Sequence, residues 1–267
     1  MSLSQPLQHP DQQKRISFSE LKIWNECPFK HKLIYKDKIK NFVGNEYTAF
    51  GTAIHHVCEN IVLDRSLEKK KLFLDKFEEE IKTISQSYEM KQKLLEDMKS
   101  QADDLVDYIL PELDRVFPEF EVLAVEEPIY ENITEFETDL KFKGFIDLIL
   151  KTPDGKIHII DWKTCSWGWD AQRKSEKMTV YQLSFYKNFY GKKYNIEEDS
   201  IETYFALLKR TAKKNKAEIF KVSNGKKRIS NALNLLNRAT TNIEKNLHIK
   251  NKLSCRRCEF YKTTHCP

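Results

Sequence analysis

The sequence predicts an α/β protein in which a mixed central sheet is flanked by helices. Two patterns lead to this prediction: short apolar runs with the alternation of strands, and longer segments whose apolar residues recur at helical spacing. The strand-like runs occupy residues 121–130, 138–150, 156–163, 202–208 and 218–222. Helical patterns precede these runs, separate the third from the fourth, and follow the fifth at residues 229–243. No apolar stretch is long enough to cross a membrane.

The 267 residues are expected to form a single domain behind a disordered N-terminus. Residues 1–15 are polar and contain two prolines, which favours disorder. The domain at residues 16–267 opens with Ser17 and Glu20, which form a capping box for a first helix. A charged amphipathic stretch at about residues 66–117 predicts a helical lobe inserted before the sheet.

Positive charge is concentrated in the C-terminal part of the chain. The formal net charge is +5, but residues 203–267 contain 16 Lys and Arg against 3 Asp and Glu, and the rest contains 29 against 37. Clusters in predicted connecting segments carry much of this excess, at residues 209–210, 213–216 and 226–228. Such clusters bind a phosphate backbone without reading bases, or form a solvated face that aids solubility. We expect a polyanion partner, because a candidate hydrolytic site lies upstream.

Two carboxylates and a lysine lie on neighbouring predicted strands. Asp161 and Lys163 are two residues apart and share one strand face, while Asp147 lies on the preceding strand, across a turn at residues 153–155. A loop of all three turn residues would set Asp147 directly opposite Asp161, close enough to share a divalent cation. A two-residue loop without a bulge would turn Asp161 to the other face. The alternative interpretation is that both carboxylates are solvated charges at strand ends.

Helices before and after these strands carry polar pairs. His55 and Glu59 are four residues apart in a predicted helix at residues 49–62 and share a face. His55 would ligate a cation, and Glu59 would hold a water molecule or a second ion. Gln182 and Tyr186 have the same spacing in a later helix and would hydrogen-bond a substrate or the attacking water. Each pair taken alone is also compatible with ordinary surface residues.

Four of the six cysteines have the spacing of a metal site. Cys255, Cys258 and Cys266 cluster near the C-terminus, and Cys27 would complete four thiolate ligands if the fold brings it to them. A structural Zn²⁺ ion and an iron-sulfur cluster both fit this spacing. No signal peptide is recognised, so we expect a reducing, cytoplasmic location in which metal-thiolate chemistry is favoured over disulfides.

Together these residues resemble the RecB-like branch of the PD-(D/E)XK nuclease superfamily. The matching motifs occur in the order typical of that branch: Gly51-x-x-x-His55, Gly144-x-x-Asp147, Asp161-x-Lys163 followed by Thr164, and Gln182-x-x-x-Tyr186. The segment from Ser17 to Pro28 is similar to the opening of those domains, so the resemblance covers nearly the whole chain.

The resemblance implies a role for each motif residue. His55, Asp147, Asp161 and the backbone carbonyl of Trp162 would bind Mg²⁺ or Mn²⁺. Lys163 would position or activate the water and offset charge that develops on the phosphate. The cysteines would hold a [4Fe-4S] cluster, similar to the one that ties the chain ends of RecB-like and CRISPR-adaptation nucleases, with Zn²⁺ as the alternative.

The activity implied by the resemblance is a metal-dependent exonuclease that hydrolyses single-stranded DNA or duplex ends. DNA repair or recombination would be its setting, with a helicase or recombination partner that the sequence does not identify. A structure-specific endonuclease is one alternative, and a non-catalytic DNA-binding adaptor subunit is another. No phosphate-cradling glycine loop is visible among the 7 glycines, so we expect no ATP-driven motor.

Overall fold

In the computed structural model, the described part of the chain comprises residues 14–39, 44–84 and 88–267. It divides into two compact units. Of the described residues, the first unit contains 14–39, 128–144 and 230–267, and the second contains 44–84, 88–127 and 145–229. The predicted disorder of residues 1–15 falls mainly on residues 1–13, which lie outside the described residues. For Arg15 the prediction is wrong, because this residue begins a strand that pairs with another part of the chain.

Apart from the short strand β1, the helices and strands follow the order that the apolar patterns predict. The strands are β1 (Arg15–Ser17), β2 (Glu121–Asn132), β3 (Lys141–Lys151), β4 (Ile157–Cys165), β5 (Ile201–Lys209) and β6 (Ala217–Val222). The α-helices are α1 (Phe18–Glu26), α2 (Pro28–His31), α3 (Glu46–Leu63), α4 (Lys69–Thr83), α5 (Gln92–Leu105), α6 (Ile109–Val116), α7 (Ala171–Lys174), α8 (Lys177–Tyr194) and α9 (Lys226–Glu244). A π-helical segment covers Lys32–Lys36, and 3-10 turns cover Val106–Tyr108, Glu198–Ser200 and Lys252–Arg257.

Within the part of the chain that the structure describes, six strands form one mixed sheet flanked by helices, which confirms the predicted fold class. The strand order is β1-β3-β4-β5-β6, and β2 also pairs with β3. The β1–β3 and β4–β5 pairs are parallel, whereas the β3–β4 and β5–β6 pairs are antiparallel. Helix α8 lies in the crossover that a parallel β4–β5 pair requires. None of the described helices combines the length and apolar character needed to span a membrane.

The core of the second unit lies between α3 to α6 and one face of the sheet. Alternate residues of β4, Ile160 and Trp162, are buried in the same cluster as Phe50 of α3 and Phe77 of α4. Because side chains alternate along a strand, these two side chains lie on one face of the sheet and Asp161 lies on the other face. Helices α4 to α6 cover the region of the predicted helical lobe, and they belong to the same compact unit as β4 and β5.

The first helix begins at the predicted N-cap. Ser17 Oγ accepts a hydrogen bond from the Glu20 N–H at 3.2 Å, and α1 ends at Glu26 before Cys27 and Pro28. The carboxylate of Glu20 lies 2.7 Å from His31 Nε2. Ser17 therefore caps the helix as expected, whereas the Glu20 carboxylate contacts His31 of α2.

A three-residue loop joins β3 to β4. The Thr152 N–H donates to the Lys156 carbonyl at 3.1 Å, and the Gly155 N–H donates to the Thr152 carbonyl at 2.9 Å. Gly155 has φ +83°, the left-handed residue that closes such a loop without splaying the strands. The pairing of Leu148 with Ile160 continues this register toward the end of the hairpin. Of the two loop lengths that the sequence left open, the structure therefore has the three-residue one.

Replacing Gly155 with alanine should lower the free energy of unfolding by about 1 kcal/mol, because an L-residue is strained in the left-handed region. Urea denaturation followed by circular dichroism would measure the change. Gly225→Ala is the matched control, since nothing lies within 4 Å of a Cβ added there and its backbone is not left-handed. Equal losses in the two variants would contradict the role assigned to the loop.

Candidate active site

The hairpin brings the two predicted carboxylates to adjacent strands. Continuing the Leu148–Ile160 register by one residue sets Asp147 opposite Asp161. Both side chains are buried, with relative exposures of 8% for Asp147 and 0% for Asp161. The expected convergence of these two residues is therefore present, and the interpretation as solvated strand-end charges does not fit their burial.

His55 of α3 and the backbone of Trp162 meet the same carboxylate. His55 Nδ1 lies 3.7 Å from Asp147 Oδ2, and the Trp162 N–H donates to that oxygen at 2.7 Å. The His55 ring also hydrogen-bonds to the backbone of Trp162. Burial lowers the pKa of His55, and the positive charge of Lys163 lowers it further. A neutral imidazole is the form that ligates a cation.

Asp161 has the least satisfied carboxylate of this group. Lys163 Nζ forms an ion pair with Asp161 Oδ2, but neither oxygen meets a hydrogen-bond donor at good geometry within the described residues. Burial raises the pKa of Asp161 to about 6 and that of Asp147 to about 7, while the Lys163 ammonium opposes both shifts. Buried carboxylate oxygens normally have partners, so this pair has the donor chemistry that a hard divalent cation would satisfy.

A third carboxylate, which the sequence patterns did not single out, approaches the site from β2. Ligand atoms of His55, Glu59 and Glu126 all lie within 4.8 Å of one another. Glu126 has φ +49°, so the strand backbone is locally left-handed where this side chain is presented. Burial raises the pKa of Glu59 to about 8, and the neighbouring Glu126 carboxyl adds to the shift. A cation would relieve this repulsion.

A sequence signal for Glu126 does exist. Two consecutive glutamates, Glu126 and Glu127, interrupt the alternation of β2 directly before Pro128. Proline inside a strand is typical of edges and bulges, and a bulge redirects a side chain. The two acids look alike in the sequence, however, and only Glu126 joins His55; Glu127 instead accepts from Lys193 Nζ at 2.6 Å.

Gln182 and Tyr186 lie together on α8, as their spacing predicts. Gln182 Nε2 donates to Tyr186 Oη at 3.0 Å, and the Tyr186 side chain is buried. Burial raises the pKa of Tyr186, and the nearby negative charge of Asp161 raises it further. The phenol therefore stays protonated and is a hydrogen-bond donor near the carboxylates.

The basic clusters are only partly available for phosphate. Three cations of residues 209–216 contact polar neighbours: Lys209 with Glu218, Arg210 with Gln101, and Lys216 with Asp104. Lys213 and Lys214 are exposed in the β5–β6 loop. The prediction of a connecting segment at residues 226–228 is wrong, because α9 begins at Lys226 and these cations form its first turn.

The four predicted thiol ligands line one cavity of the first unit. Its volume is about 540 Å³, and Cys27, Cys255, Cys258 and Cys266 all border it. The Asn251 N–H donates to Cys27 Sγ at 3.3 Å. The thiols are not paired in disulfides, and within the described residues no three of these sulfur atoms lie within 4.8 Å of one another. Cys58 is buried in α3 and does not border this cavity.

A mixed α/β sheet whose hairpin carries two buried carboxylates and a lysine, with a histidine of α3 beside them, is the arrangement expected of a hydrolase of phosphodiester bonds. The family comparison agrees with this class, since a model of the PD-(D/E)XK nuclease superfamily matches residues 15–263. The chain belongs to the PD-(D/E)XK nuclease superfamily.

Solved structures with a similar fold are distant in sequence. The crystal structure of a putative exonuclease from Eubacterium rectale is 14% identical, with a TM-score of 0.60, and the match covers 97% of this chain and 92% of that one. This likeness supports the fold. The structure of SSO0001 is 12% identical over 91% of this chain and 93% of that one, but its TM-score of 0.35 carries no argument. No curated protein matches the sequence significantly.

In protein freed of cations by a chelator, Asp161→Asn should raise the free energy of unfolding at pH 8 and leave it nearly unchanged at pH 4. The folded pKa of Asp161 is about 6, whereas an unfolded aspartate has a pKa of about 3.9. The folded state therefore holds the proton more tightly. The resulting destabilisation is absent below pH ~4, grows as the pH rises, and is complete above the folded pKa. Removing it should contribute roughly 3 kcal/mol at pH 8.

Urea denaturation at pH 4, 6 and 8 would measure this effect. Asp154→Asn, in the exposed turn of the same hairpin, is the control. A hydrogen bond from Thr152 lowers the pKa of Asp154, so its replacement should give no gain at pH 8. A gain for Asp161→Asn that is the same at every pH would contradict the assignment.

Proposed function

We propose that the protein is a divalent-metal-dependent DNA exonuclease of the RecB-like branch, acting on single strands or duplex ends. The observation that carries this proposal is the fully buried Asp161 carboxylate, which lies opposite Asp147 and forms an ion pair with Lys163. Two buried carboxylates are costly for the fold unless a cation compensates them.

The residues that would hold the cation are His55, Asp147, Asp161 and the Trp162 carbonyl. Their donor set of oxygens with one imidazole suits Mn²⁺ and is tolerable for Mg²⁺. When bound, such a cation lowers the pKa of a coordinated water and polarises a phosphoryl oxygen. Glu59 and Glu126, with His55, would hold a second ion or orient water, since their ligand atoms are already close.

The remaining polar residues have roles that follow from their charge state. Lys163 is a compact ammonium ion-paired to Asp161, so it is suited to position water and to offset charge that develops on the phosphate. Tyr186 is a buried phenol that donates rather than ionises, and it would orient water or a phosphate oxygen together with Gln182.

The substrate assignment is supported by charge rather than by base recognition. Lys213 and Lys214 are exposed in the β5–β6 loop and would contact the phosphate backbone. A DNA-repair or recombination setting, with a helicase or similar partner, is supported by the RecB-like motifs. The candidate ligand set is intact, which favours an active nuclease over a non-catalytic adaptor subunit.

Asp161→Asn and Lys163→Ala should each reduce cleavage of end-labelled DNA at least 100-fold while leaving DNA binding in chelator within a few-fold, because they remove the chemistry and keep the basic surface. Gel assays with Mg²⁺, Mn²⁺ or chelator would measure cleavage. Asp154→Asn is the control for an acid of the same hairpin. Cleavage at wild-type rate by both active-site variants would remove this mechanism.

Two further measurements separate the alternatives. A circular single strand should resist the enzyme, since an exonuclease requires an end, and its rapid cleavage would identify an endonuclease with the same site. Calorimetric titration with Mn²⁺ should give binding that Asp147→Asn abolishes. An adaptor subunit would bind DNA without this Mn²⁺ uptake.

We also propose that the thiol cavity holds a [4Fe-4S] cluster. A tetrahedral Zn²⁺ site has Zn–S bonds of about 2.3 Å, which draws its sulfur atoms to about 3.8 Å from one another. Four thiols border the cavity of about 540 Å³, and among the described residues no three of their sulfur atoms lie within 4.8 Å of one another. Lys30, Lys250 and Lys252 also line the cavity and would offset the negative charge of the thiolates. A reducing cytoplasmic location is consistent with these free thiols.

Anaerobically purified protein should be brown, with a broad visible absorption band and bound iron. Cys258→Ser should lose most of this absorption, because one of four thiolate ligands is removed. Cys165→Ser is the control, since this partly buried thiol lies at the end of β4 and does not border the cavity. A colourless protein that contains zinc would reverse the assignment.

A further inference from the structure

One tryptophan differs from the other three in its environment. Trp24, Trp162 and Trp169 are buried, whereas the Trp167 side chain is 74% exposed. Trp167 lies in the loop between β4 and α7, four residues after Lys163. Four residues of chain span at most about 14 Å, so Trp167 is close to the candidate active site. A single exposed apolar side chain is common on protein surfaces, so exposure alone does not assign a role.

The loop that carries Trp167 is fixed to β5 and its following turn. The Arg210 N–H donates to the Cys165 carbonyl at 2.8 Å, and the Thr211 N–H donates to the Ser166 carbonyl at 3.0 Å. Gly168 has φ +118°, and a Cβ there would lie 3.0 Å from the Lys209 side chain. These contacts hold the backbone on both sides of Trp167.

The next aromatic residue anchors the same loop from inside. The Trp169 ring packs edge-on against Phe205, with 5.2 Å between the ring centroids. The Trp-Gly-Trp sequence therefore buries one indole and presents the other to solvent on a fixed backbone. An exposed indole on a fixed backbone has only two side-chain torsions to order when a flat partner stacks on it.

The β5–β6 loop, which is hydrogen-bonded to the Trp167 loop, carries positive charge and connects it to a second exposed aromatic ring. Lys213 and Lys214 are exposed in the β5–β6 loop, whose first residues form the hydrogen bonds to the Trp167 loop. Arg210 Nη2 donates to Ser166 Oγ at 3.4 Å, and its guanidinium lies 5.4 Å from the ring of Tyr47, which is also exposed. Lysines beside exposed aromatic rings are the combination that binds single-stranded nucleic acid.

We propose that Trp167 stacks on an unpaired nucleobase of the strand whose phosphate enters the active site. This inference rests on the proposed nuclease function and narrows its substrate to DNA that is unpaired next to the scissile bond. A base inside a duplex is already stacked on both faces and has no free face for the indole. The contact is tolerant of sequence, because every base presents a π-face.

The test compares binding of two oligonucleotides in chelator, which prevents cleavage. One is oligo(dT), and the other has the same length with abasic linkers in place of every base. Trp167→Ala should weaken oligo(dT) binding about ten-fold, as expected for the loss of one stacked base, and should not weaken binding of the abasic strand. Trp167→Phe should retain most of the affinity. Fluorescence anisotropy of labelled strands would measure both.

Tyr108→Ala is the matched control, because this exposed aromatic residue lies in the helical lobe and has no stacking role in the proposal. Unchanged oligo(dT) binding by Trp167→Ala would overturn the inference. Equal weakening on both strands would also overturn it, since it would indicate a backbone or structural effect. Cleavage of oligo(dT) by the wild-type protein with Mn²⁺ is measured separately. Absence of that cleavage would contradict the proposed function, whereas the base-dependent binding tests the stacking site alone.

Discussion

The candidate site depends on the register with which β3 pairs with β4, because this register sets two buried carboxylates opposite each other on one face of the sheet. Side chains alternate with a period of two, so a shift of one residue would send Asp161 into the apolar layer that contains Ile160 and Trp162. The three-residue loop with its left-handed Gly155 prevents this shift. The local conformation of the turn thereby determines that the two carboxylates lie opposite each other.

The end of the β3–β4 ladder explains how a backbone carbonyl becomes available. The regular pairing of the two strands ends at Leu148 and Ile160. Beyond them, the Trp162 N–H donates to the side chain of Asp147 instead of to a β3 carbonyl. The N–H and C=O of one strand residue point to the same side of the strand. The Trp162 carbonyl therefore also lies on the β3 side of β4, where the His55 ring hydrogen-bonds to it. Side chains and backbone therefore converge for one geometric reason.

The sequence predicted those parts of the fold and the site that depend on residues close together in the chain. Strand alternation and turn composition gave the sheet and the Asp147–Asp161 pair, and helical spacing gave His55 and Tyr186. The three-residue strand β1 was missed because its pairing with Lys141–Lys143 is distant in sequence. Glu126 was missed because a left-handed residue within a strand is a tertiary feature. Sequence alone also could not separate Lys213, which is exposed, from basic neighbours that pair with acids.

The end of β4 combines binding, charge and anchoring in a short stretch of chain. Its buried apolar residues fix the strand, and Asp161 and Lys163 lie together on the opposite face. The following loop accepts hydrogen bonds from Arg210 and Thr211, directly after β5. The strand and loop are rigid, so they lose little entropy on binding a substrate. Rigidity also maintains the unfavourable burial of Asp161, since the surrounding core prevents the strand from moving this carboxylate into water. The same packing that stabilises β4 thus keeps the carboxylate in the state that favours a cation.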